Sequence, residues 1–432
     1  MSHVHVIGAG MAGLTAALSL TSAGHQVTVY EAGPAAGGRC RSYFDKELGL
    51  RIDNGNHLLL SGNGAAMEYI AEIGAEDRFN VARQPVFHFL DLKTQEEWYI
   101  RPNRGRIPWW VLFPGRRVAG TRLVDYLRLR RFTKIHDATT VAHAMRHGWL
   151  YWRLVEPLTV AALNTRPEVA LASLLGAVMS DSLLRGGRAC LPWIPKEGLS
   201  EALVDPALAT LANRGTKVRF NHRIAELRID NGRIVSLRGP AGPEPIGAGD
   251  AVLLAVPPWV AGDLLPGLEV PDAFEAILNI HFACVAGEAT PVAEEGFIGL
   301  TSGVAEWVFA KKDHVSVTIS AANHMVDEDA AVIAARVWPN VKVAMGQRLD
   351  PYQTEDDMPP YRVVKEKRAT FAATARQNDR RPGFIPPMAN NLALAGDWTD
   401  TGLPATIEGA IRSGRLAAEA LIEATRPGRR ER

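Results

Sequence analysis

The sequence contains few cysteines and carries almost no net charge. Only 3 cysteines occur among 432 residues, and Cys40, Cys190 and Cys284 are spaced too widely for a CxxC metal or redox motif. Their number excludes a disulfide scaffold and is typical of a reducing compartment. Lysine and arginine total 48 against 47 aspartates and glutamates, so the formal charge of +1 gives no reason to expect a polyanionic partner.

Long hydrophobic runs are absent as well. No apolar segment approaches the roughly 18–20 residues that a membrane-spanning helix needs, and the first residues lack the pattern of a signal peptide. The composition itself is ordinary, with 47% hydrophobic and 22% charged residues, which excludes a disordered chain. At roughly 150 residues per domain, the length predicts two or three domains.

A dinucleotide-binding pattern occupies the N-terminal residues. A short apolar strand over 3–7 leads into a G-x-G-x-x-G turn over 8–13, an apolar helix runs to Gly24, and a second strand over 26–30 ends at Glu31. In this βαβ context the glycines allow a tight turn and a close approach of the pyrophosphate, while the acidic residue accepts hydrogen bonds from the ribose. The pattern alone does not distinguish NAD from FAD. The residues predicted to bind the dinucleotide are Gly8, Gly10, Met11, Ala12, Gly13 and Glu31.

A second glycine pair favours FAD. Residues 35–42, which contain Gly37-Gly38-Arg39, resemble the second phosphate-side motif of FAD-dependent amine oxidases and phytoene desaturases. In that group the two glycines open a loop beside the pyrophosphate, and the arginine stands against the bound cofactor. The resemblance therefore implies that Gly37, Gly38 and Arg39 bind FAD.

The C-terminal part of the chain contains a second group of residues that is expected to contact the cofactor. An apolar strand over 391–395 ends at Gly396 and Asp397, and residues 406–414 lead into a helix over 415–421. In an FAD fold a carboxylate at this place meets the ribityl-phosphate region. The following helix directs its positive N-terminus at the flavin pyrimidine, which favours an anionic reduced flavin. The C-terminal residues expected to contact the cofactor are Gly396, Asp397, Thr406 and Ile407.

The middle of the chain supplies further strands. Apolar patterns predict strands over 216–227, 232–237 and 251–256, and Asp230-Asn231-Gly232 is a good hairpin turn between the first two. In amine oxidase-like proteins this stretch belongs to the FAD domain, and the resemblance implies that the backbone of Ile224 meets the adenine.

The resemblance implies an α/β fold with a Rossmann-like FAD-binding domain of the amine oxidase/phytoene desaturase type. A substrate domain of mixed sheet and helices is expected as an insertion. The FAD domain would then be discontinuous, over 1–62, 196–266 and 384–432, and the substrate domain would comprise 63–195 and 267–383.

Three segments indicate which family within the amine oxidase and phytoene desaturase group the sequence resembles. Residues 53–60, 156–165 and 396–410 are similar to signatures of the hydroxysqualene dehydroxylases, also called squalene-associated FAD-dependent desaturases. The segments lie in the first, middle and last parts of the chain, so the likeness covers nearly all of it. Two departures are present: Asn56 stands where glutamine is more common, and Ser-Gly-Asn over 61–63 replaces a commoner Gly-Ala-Tyr.

This resemblance implies a reaction. The family reduces hydroxysqualene to squalene in bacterial squalene and hopanoid biosynthesis: the allylic hydroxyl leaves as water, and reduced flavin delivers a hydride from N5. Asn54 and Gly55 are expected beneath the flavin. Asn56 and His57 are expected to be catalytic, with His57 as the acid that protonates the leaving hydroxyl. Alternatively, a histidine beside three leucines is a hydrogen-bonded core residue. No metal is expected, and no second nicotinamide fingerprint identifies the electron donor.

One segment departs from the neutral average. Between Arg101 and Lys134 there are ten basic residues and one acid, Asp125, which gives a local charge of +9, and apolar and aromatic residues over 107–113 lie among them. This mixture is typical of an interfacial anchor on anionic lipid; the alternative is a solvated basic face with buried tryptophans. Nucleic acid is not expected because no recognition motif accompanies the charge. Together with a hydrophobic C30 isoprenoid substrate, residues 101–134 predict a cytoplasmic protein held peripherally on the inner face of the membrane.

Other functions fit the same cofactor. A carotenoid- or phytoene-type desaturase would share the FAD domain but withdraw electrons from its substrate. A lipid-binding protein would retain FAD only for structure. An amine oxidase would need an aromatic cage for its amine, which cannot be located in the sequence.

Overall fold

The computed structural model describes residues 2–145, 147–288, 290–347 and 358–424. Helices and strands are mixed along this part of the chain, in keeping with the predicted α/β class. The α-helices are α1 Met11–Ser22, α2 Gly64–Glu72, α3 Leu123–Leu129, α4 Val141–Ala144, α5 Glu156–Leu163, α6 Ala172–Asp181, α7 Asp205–Asn213, α8 Pro258–Leu264, α9 Pro291–Glu295, α10 Ala330–Ala344, α11 Ala375–Asp379 and α12 Ile407–Ala424. The strands are β1 His3–Ile7, β2 Gln26–Tyr30, β3 Ser42–Asp45, β4 Leu50–Asp53, β5 Leu59–Leu60, β6 Phe79–Val81, β7 Phe87–Asp91, β8 Glu97–Ile100, β9 Pro192–Pro195, β10 Lys217–Arg219, β11 Glu226–Asp230, β12 Arg233–Gly239, β13 Gly242–Pro245, β14 Ala251–Leu254, β15 Phe274–Phe282, β16 Phe297–Thr301, β17 Trp307–Ala310, β18 Val315–Ile319, β19 Tyr361–Phe371 and β20 Leu392–Leu394.

A five-stranded parallel sheet positions the glycine-rich turns. Its strand order is β10-β2-β1-β14-β20, so it combines strands from widely separated parts of the chain. One face packs on α1, α7 and α12, and the other packs on the three-stranded sheet β11-β12-β13. Burial on both faces explains why β14 and β20 consist entirely of apolar residues. Since the strands are parallel, the residues that follow β1, β2, β14 and β20 meet at one edge, which is where such sheets bind ligands.

A seven-stranded sheet lies beside this layer. Its order is β19-β15-β18-β17-β16-β7-β8, and every pairing except that of β16 with β7 is antiparallel. Strand β15, the second in this order, pairs with both β18 and β19, and α10 packs on one face of the sheet. This is the kind of mixed sheet expected for the substrate-binding part. The predicted domain boundaries stay a prediction.

Three predicted elements have different bounds in the structure. The strand predicted over 216–227 is two strands, because β10 pairs with β2 in the parallel sheet whereas β11 pairs with β12. The strand predicted over 251–256 ends at Leu254, before the prolines. The helix predicted over 415–421 begins already at Ile407, because the Thr406 hydroxyl accepts a hydrogen bond from the Gly409 N–H at 3.0 Å and caps it.

The hairpin turn predicted at 230–232 is confirmed. Asn231 and Gly232 both have positive φ, 50° and 69°, as a type I′ turn requires. This turn joins β11 to β12.

Helices α1 and α12 approach each other closely at a glycine. A Cβ on Gly414 would lie 2.3 Å from the carbonyl oxygen of Ala12, so the contact accepts no larger residue. Within the described residues, no helix is both long and apolar enough to cross a membrane.

Candidate active site

The turn after β1 leaves the N-terminus of α1 open. Gly8 has a φ of 107°, and a Cβ on it would lie 2.3 Å from the Ala255 carbonyl oxygen. A Cβ on Gly13 would lie 1.9 Å from the Gly8 carbonyl oxygen. By contrast, no atom of the described residues lies within 4 Å of a Cβ built on Gly10, and no side chain caps α1. The N–H groups of the first turn, which include those of Met11 and Ala12, therefore face a space that suits a phosphate.

The Glu31 carboxylate is oriented beside this turn. Its Oε2 accepts a hydrogen bond from the Ala9 N–H at 2.9 Å, and its Oε1 accepts one from the Gly33 N–H at 2.7 Å. Each oxygen retains a lone pair that a ribose hydroxyl can use. The Gly37 N–H donates to the Ala9 carbonyl oxygen at 2.8 Å, and a Cβ on Gly38 would lie 3.5 Å from the Gly10 Cα. The two glycine loops predicted to bind phosphate thus lie against each other.

Ile224 is buried in the loop between β10 and β11. The same loop contacts the residue that follows β2, because the His222 N–H donates to the Glu31 carbonyl oxygen at 2.8 Å. The residue predicted to meet adenine therefore lies near the residue predicted to bind ribose. The contact with adenine itself stays a prediction.

An ion pair joins the N-terminal and C-terminal motifs. Arg39 Nη2 lies 2.7 Å from Asp397 Oδ1, and Arg39 Nη1 also donates to the Ala369 carbonyl oxygen in β19. The Asp397 side chain is only 9% exposed, whereas 42% of the Arg39 side chain remains accessible. The accessible guanidinium surface suits the predicted position of Arg39 against a cofactor.

The segment around Asp397 is tightly constrained. Gly396 has a φ of 155°, and a Cβ on it would lie 2.3 Å from the indole nitrogen of Trp398. That indole N–H donates to the Val256 carbonyl oxygen at 2.9 Å, and the Gly396 N–H donates to Ser413 Oγ at 2.9 Å. Ile407 is the first residue of α12, and Thr406 immediately precedes it. The Thr406 hydroxyl accepts the Gly409 N–H at 3.0 Å, so it caps the helix.

The loop 54–57 after β4 rests on the seven-stranded sheet. Asn56 Nδ2 donates to Ser316 Oγ at 2.7 Å and to Thr318 Oγ1 at 3.0 Å, while Asn279 Nδ2 donates to the Asn54 carbonyl oxygen at 3.3 Å. Gly55 lies over the Asn279 amide, because a Cβ there would lie 3.2 Å from Asn279 Nδ2. Asn56 Oδ1 is buried and has no hydrogen-bond partner among the described residues. Asn56, which is predicted to be catalytic, therefore has a buried side-chain oxygen that is available to accept a hydrogen bond.

His57 is partly buried in the same loop. Burial, with smaller contributions from Arg39 and Lys311, lowers the pKa of His57 to about 4 although Asp53 opposes the shift. Within the described part of the chain no group hydrogen-bonds to its ring, so the alternative of a hydrogen-bonded core histidine lacks support. At pH 7 the imidazole is neutral, and the predicted role as an acid needs a change in its surroundings.

Sequence reasoning missed two buried polar groups near this loop. Lys311 Nζ lies 3.5 Å from Asp53 Oδ2, and the two side chains are 9% and 6% exposed. His281 Nδ1 lies 2.9 Å from Ser316 Oγ, the same hydroxyl that accepts from Asn56, and burial lowers the pKa of His281 to about 3. In the sequence Lys311 stands in a Lys-Lys-Asp run, which is typical of a surface loop.

Comparison with known proteins agrees with this geometry. A family model described as flavin containing amine oxidoreductase matches residues 11–286 and 309–422. A hydroxysqualene dehydroxylase of Rhodopseudomonas palustris is 45% identical over 425 residues, which cover 98% of this chain and 99% of that protein. A hydroxysqualene dehydroxylase of Zymomonas mobilis is 42% identical over 420 residues, covering 97% and 99%. The chain belongs to the hydroxysqualene dehydroxylase family of flavin-containing amine oxidoreductases.

More distant relatives agree with the assignment of the fold. A 15-cis-phytoene desaturase of Synechococcus elongatus is 23% identical over 470 residues, covering 97% of this chain and 95% of that protein. The solved structure of a cyclohexylamine oxidase from Brevibacterium oxydans superposes with a TM-score of 0.67 at 14% identity, covering 98% of this chain and 99% of that chain. The predicted α/β fold of the amine oxidase type is confirmed.

As a member of this family the protein is a flavin-dependent oxidoreductase. The described residues fit such a cofactor, because the space in front of Gly10 suits its phosphate and the accessible face of Arg39 lies beside Asp397. The individual contacts stay predictions.

Proposed function

We propose that this protein reduces hydroxysqualene to squalene with FAD, as a hydroxysqualene dehydroxylase in bacterial squalene and hopanoid biosynthesis. The observation that carries the proposal is the 42–45% identity to proteins of that name over nearly the whole chain. The distant phytoene desaturases reach only 22–23% identity.

The overall change replaces a hydroxyl by a hydrogen. The allylic C–O bond breaks and its oxygen leaves as water after taking up one proton. The carbon receives a hydride, so the substrate gains two electrons in total. When bound, a reduced flavin supplies this hydride and, as an anion, a negative charge in the site.

The residues around the glycine turns support FAD as the form of the flavin. The open N-terminus of α1 would hold the pyrophosphate, and the Glu31 carboxylate would accept hydrogen bonds from the adenosine ribose. Ile224 would lie against the adenine. Arg39 and Asp397 would position the ribityl and ring portions.

The loop 54–57 would act on the hydroxyl. A negative charge beside the imidazole raises its pKa, so His57 would carry a proton in the loaded site and transfer it to the leaving oxygen. The buried Oδ1 of Asn56 would orient the hydroxyl, while its Nδ2 stays bound to Ser316 and Thr318. The apolar C30 chain of the substrate would itself help to exclude water from the developing cation.

One anaerobic assay tests the proposal. The purified holoenzyme is photoreduced and mixed with hydroxysqualene, and the extract is analysed by mass spectrometry while the flavin spectrum is recorded. We expect squalene in step with flavin reoxidation. No squalene, together with oxidation of phytoene by the oxidised holoenzyme, would favour the desaturase alternative. Turnover of neither substrate would favour a lipid-binding protein.

We further propose that the protein works in the cytoplasm, on the inner face of the membrane. A C30 hydrocarbon gains roughly 0.8 kcal/mol for each CH₂ that leaves water, so the substrate resides in the bilayer. The charge of +9 over 101–134 supports contact with anionic lipid. No nucleic acid partner is proposed.

A further inference from the structure

Exposed apolar side chains are concentrated in one short part of the chain. Among the described residues, seventeen large hydrophobic side chains are strongly exposed, and nine of them lie between Ile107 and Trp152. This stretch is about a tenth of the chain. The nine residues, which we name the apolar patch, are Ile107, Trp109, Leu112, Phe113, Leu123, Val124, Leu127, Trp149 and Trp152.

The first group in the patch surrounds a single helical turn over 109–112. Trp110 and Val111 of this turn are buried, whereas Leu112 and Phe113 are 58% and 53% exposed. Trp109 packs edge-on against Phe113 with ring centroids 5.7 Å apart. The turn therefore anchors itself through two side chains and presents the other apolar ones to the outside.

Helix α3 is apolar on two opposite sides. It buries Tyr126 and Leu129, as an amphipathic helix does, but Leu123 and Leu127 at spacing i,i+4 are 44% and 63% exposed. A helix that only covers a core would place polar residues on that outer side. The second apolar side is thus unexplained by folding.

Contacts connect the turn over 109–112, helix α3 and Trp149. The Trp110 ring contacts Tyr126 of α3 at 5.4 Å between centroids, and the Tyr126 hydroxyl accepts the Val118 N–H at 2.9 Å. Trp149 packs on Gly120, where a Cβ would lie 2.8 Å from the indole Cγ. Only residues 121 and 122 separate Gly120 from α3, so Trp149 lies beside the start of this helix.

Exposed basic residues accompany this apolar patch along the chain, and the Arg116 guanidinium lies over the Trp109 ring at 4.9 Å from its centroid. Nine basic residues over 101–134 are exposed, and none of them forms a salt bridge with a carboxylate in the described part of the chain. The Asp125 carboxylate accepts the Arg122 N–H at 2.8 Å as a helix cap. The exposed basic residues are Arg101, Arg104, Arg106, Arg116, Arg122, Arg128, Arg130, Arg131 and Lys134.

We infer that the apolar patch with these basic residues docks the protein on an anionic phospholipid bilayer. Exposed tryptophans and leucines among arginines that form no described salt bridge match the acyl–headgroup boundary, where apolar side chains are buried and cations meet phosphates. The inference rests on the proposed function, because it supplies the route by which a bilayer-resident C30 substrate reaches the site.

The helix behind the patch connects it to the site. A continuous helical stretch runs from Trp149 through a π-helical segment, Tyr151–Val155, into α5 and ends at Leu163. The next residue, Asn164, donates to Thr370 Oγ1 in β19 at 3.0 Å, and the neighbouring Ala369 carbonyl accepts from Arg39. At about 1.5 Å per residue, the stretch spans about 20 Å between the patch and the Arg39 region.

Vesicle binding by the holoenzyme tests this inference. Co-sedimentation is measured with phosphatidylcholine vesicles that contain about one-third phosphatidylglycerol and with phosphatidylcholine alone. A charge variant carries Arg116→Glu, Arg128→Glu, Arg130→Glu and Arg131→Glu, and an apolar variant carries Leu112→Ser and Phe113→Ser. We expect each variant to bind anionic vesicles at least about tenfold more weakly than the unchanged protein, and salt to weaken the binding of the unchanged protein.

Matched controls distinguish the patch from general surface effects. Lys46→Glu, Lys93→Glu, Arg228→Glu and Lys312→Glu give the same change in net charge elsewhere on the exposed surface. Phe44→Ser and Ile385→Ser remove apolar side chains that are 60% and 50% exposed. Both controls should bind vesicles as the unchanged protein does.

A second readout separates this inference from the proposed function. Turnover of hydroxysqualene presented in detergent micelles should be the same for the patch variants and the unchanged protein. Patch variants that bind vesicles as well as the unchanged protein does would overturn the inference. Retention of the unchanged protein on DNA, without any binding to vesicles, would also overturn it. Absence of squalene in micelles while vesicle binding persists would overturn the proposed function alone.

Discussion

Replacement of His57 by glutamine should make the stability of the protein less sensitive to acid. Burial, with Arg39 and Lys311, lowers the pKa of this histidine from 6.5 to about 4. In the unfolded chain the same ring takes up a proton near pH 6.5. Between these two values the unfolded state binds one more proton than the folded state, so stability falls as the pH decreases from 6.5 towards 4.

The magnitude follows from the shift in pKa. At about 1.4 kcal/mol per pKa unit, a change from 6.5 to about 4 corresponds to about 3 kcal/mol of unfolding free energy. The unchanged protein should therefore lose about 3 kcal/mol more than His57→Gln across this pH window. Above pH 6.5 the ring is neutral in both states, and the difference between the two proteins should no longer depend on pH.

Urea unfolding of the holoenzyme measures this difference while its flavin is oxidised and therefore lacks the negative charge of the reduced form. Tryptophan fluorescence is followed at several pH values from 7 to 4. His136→Gln is the control, since His136 is exposed. Parallel pH dependence of His57→Gln and the unchanged protein would refute the reasoning. The same variant tests the chemistry: loss of the acid should lower kcat by about 10²–10⁴-fold with an intact flavin spectrum, and unaltered turnover would remove His57 from the mechanism.

Three further predictions concern the cofactor cradle and the buried ion pair. Gly13→Ala should abolish flavin retention, because its Cβ would lie 1.9 Å from the Gly8 carbonyl oxygen. Retention is measured as the ratio of absorbance at 450 to 280 nm. The control Gly64→Ala should retain flavin, since no described atom lies within 4 Å of a Cβ at that position. Arg39→Met should weaken flavin binding about tenfold or more in a fluorescence titration, since it removes the charge-assisted bond to Asp397, whereas equal loss in Arg41→Met would point to a general charge effect. Lys311→Met should destabilise the protein by about 3 kcal/mol in urea unfolding, because Asp53 stays buried without its cation. The double variant that also carries Asp53→Asn should recover part of the lost unfolding free energy. If the two substitutions changed the unfolding free energy in a strictly additive way, the two side chains would not interact as a pair.

Local patterns in the sequence determined the family and much of the fold. The βαβ unit around residues 8–13 and the strand before Gly396 each depend on neighbours in the chain, so they could be recognised without knowing what packs against them. The hairpin at Asn231 and Gly232 was predictable for the same reason. Strand 216–227 was predicted wrongly, because its two halves join different sheets and only tertiary pairing reveals that division.

The site depends far more on contacts between distant residues. The sequence indicated Arg39 and Asp397 separately, but only folding brings their charges to 2.7 Å across 358 positions. The buried pair of Lys311 with Asp53 and the bond of His281 to Ser316 join strands and loops whose spacing in the chain carries no signal.

The charge of His57 and the exposure of residues 107–152 were likewise decided by tertiary structure. The sequence by itself determined that a histidine follows β4 and that arginines alternate with tryptophans and leucines. The lowered pKa of the histidine arises from desolvation, which depends on everything that surrounds the ring. The exposure of Leu123 and Leu127 depends on which side of α3 the core covers, and composition cannot specify that side.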